Sequence, residues 1–309
     1  MSSVVNVILP IFGLILIGYL CRRGGVLGPN AASELNRFVV WLCLPALLFK
    51  ATATASWEQL WHPGFVLSYS LGTMIVFALT LLLRRRGTRS LADASIDGLS
   101  AAYANTGYIG IPLCLLVLGD AGLEPALIAT LLVVFVLFSV AVVCIEVGLQ
   151  QGANLTQAVR KVLLALAKNP LVASPVLGAL WAAAGLPLPP PLLQFLGVLG
   201  GATTPCALVS LGLFLAHRQA GSGEGATGLV LIKLLVHPAI TAVLAYWVFE
   251  LPPLWAHSAL LLSALPTGTG PYMLAEFYNR EASVVSRTIL YSTIASVATL
   301  SLCIVLIGG

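Results

Sequence analysis

The sequence predicts an all-α polytopic membrane protein with ten transmembrane helices, built as two inverted five-helix repeats. Three observations predict it. The composition is apolar and cut into helix-length runs, basic residues keep to alternate loops, and landmarks recur at a constant offset. Of 309 residues, 59% are hydrophobic and 8% charged, where a soluble domain carries roughly 25% charge. A net charge of +4, with basic residues clustered in short loops, argues against nucleic acid as a partner. The six cysteines stand singly in apolar runs, without metal-ligand or disulfide spacing.

Apolar runs divided by charged or Pro/Gly-rich breaks place spans at about 4–21, 36–54, 64–83, 95–118, 122–148, 162–184, 191–216, 226–250, 253–278 and 283–307. The first run is followed, not preceded, by basic residues (Arg22, Arg23). That reverses a cleaved signal peptide and marks a first span. Arg22, Arg23 and Arg37 flank loop one, Arg84, Arg85, Arg86 and Arg89 fill loop three, and Arg160, Lys161 and Lys168 flank loop five. Arg218, Arg280 and Arg287 continue the pattern in loops seven and nine. The positive-inside rule makes the odd loops cytoplasmic and puts both termini outside. Trp57, Trp61, Trp181, Trp247 and Trp255 then fall near the outer face, as an interfacial belt would, with Trp41 the exception. The sequon Asn154-Leu155-Thr156 falls on the cytoplasmic side and reads as chance.

The repeat rests on Pro10, Gly18 and Pro45, which recur as Pro170, Gly178 and Pro205 at an offset of 160, and on Pro112, which recurs as Pro271 at 159. Residues 1–148 form the first repeat, 149–161 a cytoplasmic linker and 162–309 the second repeat. Five spans per repeat is odd, so the halves run oppositely through the membrane.

Spans four and nine each contain an interruption. Residues 105–113 read NTGYIGIPL and residues 264–271 read ALPTGTGP. Gly and Pro break helices, and in hydrocarbon a freed backbone group must find a partner in protein or a watery cavity. Two interrupted spans in corresponding places point to the binding site of a transporter. A half-helix restarting near Pro112, and another near Pro271, would aim two positive helix ends at one central point. That favours an anion, especially a carboxylate. The substrate candidates are Asn105, Thr106, Gly107, Gly110, Thr267, Thr269, Gly270, Tyr272 and, from span two, Lys50. Pro112 and Pro271 enable the breaks. Glu276 and His237 are candidates for ion coupling, with H+ or Na+ as the ion and no other cofactor. Lys233, four residues before His237, is expected to snorkel to the cytoplasmic interface. Glu146 is expected at the interface, and Ser292, Thr293 and Ser296 are expected to hydrogen-bond between helices. No paired acids or activated nucleophile at mid-depth suggest an enzyme.

Asn105-Thr106 with Gly110-Ile111-Pro112-Leu113, and the stretch Pro271–Asn279, resemble the two crossover motifs of the auxin efflux carrier family. That family includes plant PIN-type carriers and bacterial carriers of organic anions such as malate and malonate, within the bile acid and arsenite transporter superfamily. The resemblance covers the whole chain. It implies an NhaA-like fold, with spans 1, 2, 6 and 7 as scaffold and spans 3–5 and 8–10 as transport domain. It also implies elevator-type secondary transport of a small organic anion, symport or antiport, by a homodimer, while the short chain and the lack of targeting signals suggest a bacterial inner membrane. The chain departs from the plant carriers in its short loop five, in lacking an acid in span three, and in carrying Glu276 where they have a lysine. The competing readings are a non-transporting receptor or sensor on a transporter fold, and a drug/metabolite-type exporter. Termini outside argue against the exporter.

Overall fold

The structure is a computed structural model that describes residues 2–54, 62–86, 89–149, 170–216 and 223–308. Among these the chain is helical throughout. Its segments are α1 (Ser2–Arg23), α2 (Ala31–Thr54), α3 (Pro63–Arg85), α4 (Leu91–Ala102), α5 (Thr106–Leu118) and α6 (Asp120–Leu149). They continue as α7 (Pro170–Ala183), α8 (Pro190–Leu215), α9 (Ala226–Val248), α10 (Pro253–Ser263), α11 (Gly270–Phe277) and α12 (Ser283–Gly308). Seven of them, α1, α2, α3, α6, α8, α9 and α12, are long and apolar enough to cross a membrane. The linker from 150 on, the first eight residues of span six, Trp57, Trp61 and Arg218 lie outside the described residues.

Backbone geometry absorbs three prolines, one of which, Pro112, the sequence reads as part of a break. Wide π-helical turns at Val39–Cys43, Thr106–Gly110 and Ile232–Val236 each end two residues before a proline: Pro45, Pro112 and Pro238. A proline removes one backbone donor and crowds the carbonyl four residues back. Shifting the preceding bonds to a five-residue spacing makes room for the ring without ending the helix. Two further π turns, Val133–Leu137 and Leu244–Val248, precede no proline.

The helices pack in two groups. α1 lies along the Thr203–Leu215 part of α8, and α7 along the Leu44–Thr54 part of α2. Elsewhere α3 packs on α4 and α9, α4 on the end of α6, and α12 on the start of α9. Small residues set the closest approaches, as membrane helix packing demands. A Cβ on Gly18 would strike the Val209 carbonyl, and one on Gly212 the Ile15 carbonyl. Gly178 meets Thr52 and the Phe49 carbonyl in the same way. Apolar side chains such as Leu9, Val198 and Leu306 are exposed on the outside, where lipid tails would cover them. Trp247 is also exposed, but Trp255 is buried. Its indole stacks on His62 at 3.7 Å and meets Phe65 edge-on, so it is a packing residue and not part of a belt.

Charges gather at one end of this bundle. Arg84 bonds Asp97 at 2.7 Å, Arg89 reaches the same carboxylate, and Arg280 bonds Asp93. Arg280 holds the Asp93 carboxyl below its usual value, with burial opposing and Ser90 assisting. Asp93 lies before the apolar run of span four.

Two outcomes follow from these contacts. Gly212→Val drives a methyl group into a backbone carbonyl and is expected to lower the melting temperature in detergent, at a cost of ~1–3 kcal/mol. Gly13→Ala, with nothing within 4 Å of its new methyl, should not. The lowered pKa of Asp93 gives stability above the unfolded-state value of about 3.9, lost as pH falls through the folded value. Arg280→Gln should therefore melt earlier than wild type at neutral pH, by about 1 kcal/mol for a pair still partly open to solvent. The gap should close on acidification.

Candidate functional site

Two interrupted helices meet in the centre of the protein. α4 stops at Ala102 because Tyr103 turns extended, at φ −76° and ψ 93°. α10 stops at Ser263, and α11 begins at Gly270 with Pro271 in its first turn. The two gaps run antiparallel, with Ala104 opposite Thr267 in a single β-bridge. Asn105 N donates to the Pro266 carbonyl at 2.9 Å, and Gly268 N donates to the Tyr103 carbonyl at 3.0 Å. Thr267 N donates to Ser292 Oγ of α12, and Thr267 Oγ1 donates to the Ser100 carbonyl at 2.8 Å. Each gap thus supplies partners for backbone groups that the other leaves unbonded, where hydrocarbon offers none.

The restart of α5 differs from the expected one. The helix begins at Thr106, with Asn105 as N-cap, its Oδ1 accepting from Tyr108 N at 3.3 Å. Pro112 therefore lies inside α5, beyond the π turn that makes room for it, and does not start it.

Two cavities adjoin the crossing. The smaller, of about 110 Å³, is lined by Asn105, Thr106, Gly107, Thr130, Thr269 and Gly270, among others. The N-termini of α5 and α11 both open on it. Asn105 is 5% exposed, and its Nδ2 has no hydrogen-bond partner. The larger, of about 760 Å³, is lined by Asn30, Asn36, Ser210, Tyr272, Glu276 and Glu281, among others. Tyr108, Thr269 and Met273 line both. Tyr108 also donates its hydroxyl to Asn36 Oδ1 of α2, and Tyr272 packs edge-on against Phe214 of α8 at 5.0 Å.

The crossing thus gathers Asn105, Thr106, Gly107, Thr269 and Gly270 round one cavity, with Tyr272 and Glu276 on the wall of the other. Gly110 faces Leu262 and Leu265 of the opposite break, where a Cβ would collide. The Thr267 hydroxyl is committed to Ser100. Lys50 lines neither cavity and sits beside Gly197 of α8. His237 also lines neither. It is fully buried and contacts Lys233 and Thr73 instead of a backbone carbonyl. Lys233 does not snorkel and is 0% exposed. Glu146 is buried at 7% and accepts from the Tyr278 hydroxyl at 2.9 Å. Asn30 and Asn36 were not singled out from the sequence. They look like ordinary loop and interface polar residues until the fold brings α2 beside the crossing.

A family model described as "Membrane transport protein" matches residues 3–304. The chain belongs to this family, that of the auxin efflux carriers. It is 33% identical over 313 residues to a protein named "Putative malonate transporter" from Rhizobium meliloti (strain 1021), covering 97% of this chain and 95% of that one. An "Uncharacterized transporter" from Methanothermobacter thermautotrophicus is 28% identical over 298 residues, covering 96% and 95%. A "Probable auxin efflux carrier component 1b" from Oryza sativa subsp. japonica is 27% identical over 150 residues, which is 46% of this chain and 27% of that one. The chain is accordingly an integral membrane transporter.

The cap on α5 is testable apart from transport. Asn105→Ala removes the acceptor for Tyr108 N and is expected to cost ~1 kcal/mol, read as a lower melting temperature. Asn105→Asp keeps an acceptor at the N-cap and should melt close to wild type.

Proposed function

We propose that this transporter carries a small dicarboxylate of malonate's class, bound at the crossing between α5 and α11. The observation that carries the reading is the 110 Å³ cavity, onto which two helix N-termini and the unpartnered Asn105 amide all open. Helix N-termini bind anions through free N–H groups and a partial positive charge, and the amide adds a further donor. The name of the Rhizobium meliloti relative supports the substrate class.

In this reading α1, α2, α7 and α8 are the scaffold, and the helices carrying the crossing move against them in an elevator-type cycle. The closest helix packing lies within each group, which supports that division. The ten-span inverted arrangement, with both termini outside, is the topology that the loop charges favour. It makes the 760 Å³ cavity, beside the loops before α2 and before α12, the cytoplasmic vestibule. A bacterial inner membrane and a homodimer complete the proposal, on the strength of the family resemblance.

The test is uptake of radiolabelled malonate into proteoliposomes of the purified protein. Saturable uptake, competed by other short dicarboxylates, is expected. Asn105→Asp should abolish it while leaving the fold intact, because it swaps the donor amide for a repelling carboxylate. Absence of saturable uptake by well-folded protein, or full uptake by Asn105→Asp, refutes the assignment.

A further inference from the structure

A second polar cluster lies next to the crossing and outside both cavities. Lys233 and His237 of α9 are each 0% exposed. Lys233 Nζ donates to the Ser263 carbonyl at 2.7 Å and lies 3.1 Å from His237 Nδ1. On its far side, His237 Nε2 lies 3.3 Å from Thr73 Oγ1 of α3. One continuous chain of polar groups therefore runs from α3 through α9 to the last residue of α10. A cavity of about 10 Å³, lined by Tyr69 and Thr73, adjoins its outer end, close to the smallest space that holds one water.

The position of the ammonium is telling. Ser263 ends α10, where carbonyls lack intrahelical partners and the helix carries partial negative charge. In broken-helix transporters such a C-terminal end coordinates the coupling cation. Here Lys233 Nζ occupies it. A buried lysine normally requires a paired acid, yet among the described residues no carboxylate comes within 4.0 Å of Nζ.

The neighbouring elements supply no such acid. From α3 come Thr73 and Tyr69, whose ring centroid is 6.4 Å from that of His237. The acids of α4 are engaged elsewhere, Asp93 by Arg280 and Asp97 by Arg84 and Arg89. α12 carries Arg287 beside Gly223, Tyr291 at 41% exposure, and buried Cys303. α10 contributes His257 besides Ser263, and α9 itself Tyr246, whose ring is 6.2 Å from that of His257.

We propose that the proton held by the Lys233–His237 pair is the coupling ion of this transporter, taking the place that a sodium ion would fill at the end of α10. The proposal rests on the transport reading above. One proton enters from water on one side of the membrane, resides on Nζ with His237 Nδ1 as its acceptor, and leaves to water on the other side. His237 is then the tautomer with its hydrogen on Nε2, donating to Thr73. While the ammonium is present it neutralises the end of α10, but it is held in the interior without a paired acid. When the proton leaves, that compensation is lost, which links the state of the carrier to protonation.

The experiment has two arms, on wild type, Lys233→Gln and His237→Gln. In proteoliposomes, wild type is expected to accumulate malonate on an imposed pH gradient, equally in sodium and choline media. Both variants should lose accumulation above the external concentration yet retain malonate counterflow, which shows that they are folded and bind substrate. Accumulation by Lys233→Gln on a pH gradient at the wild-type level, or a sodium gradient driving the wild type, overturns the proposal. In the second arm, melting temperature is followed against pH without substrate. Wild type should gain stability as pH rises and the buried pair sheds its charge, and Lys233→Gln should respond less. Equal responses of the two proteins overturn the proposal even if malonate is not moved, an outcome that separately removes the malonate assignment.

Discussion

Two backbone hydrogen bonds, from Asn105 N to Pro266 O and from Gly268 N to Tyr103 O, are the constraint that the rest of the structure serves. A helix interrupted at mid-membrane exposes N–H and C=O groups that lipid cannot satisfy, at several kcal/mol each. Placing two interruptions antiparallel lets each satisfy the other. Neither break is tenable alone, so the partner break and the helices that aim it follow from the first. The glycines at 268 and 270 fit the same need, since a Cβ at either would collide with the Tyr103 ring.

Once the breaks are paired, their four helix ends carry partial charges into a low-dielectric interior, where those charges count for more than in water. The positive ends of α5 and α11 share a cavity. The negative end of α10 meets Lys233 Nζ. Positive and negative helix ends thus arise from the same crossing, a few residues apart along the chain, without a basic side chain on the wall of either cavity. A site made from backbone ends moves as one rigid unit with its helices, which suits a carrier better than one built from long flexible side chains.

How far the sequence disclosed this depended on the kind of signal. The apolar runs and the pair NTGYIGIPL and ALPTGTGP announced an all-helical membrane protein with two interruptions, because composition and helix breakers are local properties. The restart at Thr106 was hidden, since a π turn lets Pro112 ride inside a helix and nothing in the residue string distinguishes that from a break. Lys233 was misread for a related reason. Its four-residue spacing to His237 was visible, but its burial depends on Ser263, thirty residues away, whose carbonyl is free only because α10 ends there. Trp255 failed similarly, as its partner His62 stands just before α3, far off along the chain. Cavity residues Asn30 and Asn36 gave no local sign, being defined by which helix lies beside the crossing.

The distribution of bonding around the crossing bears on how the proposed movement proceeds. On the side of α4, α10 and α12, the breaks are tied by the two backbone bonds and by those of Thr267 to Ser100 and Ser292. On the opposite side a cavity of about 760 Å³ intervenes, and the ties named here are Tyr108 to Asn36 and the Phe214–Tyr272 edge contact. A hydrogen bond contributes about 1 kcal/mol net and an aromatic pair a similar amount. Sliding past α2 and α8 therefore breaks few polar ties at this boundary, whereas opening the crossing strands buried backbone groups at several kcal/mol each. In the proposed cycle, movement would follow the wet boundary, with the crossing carried along intact.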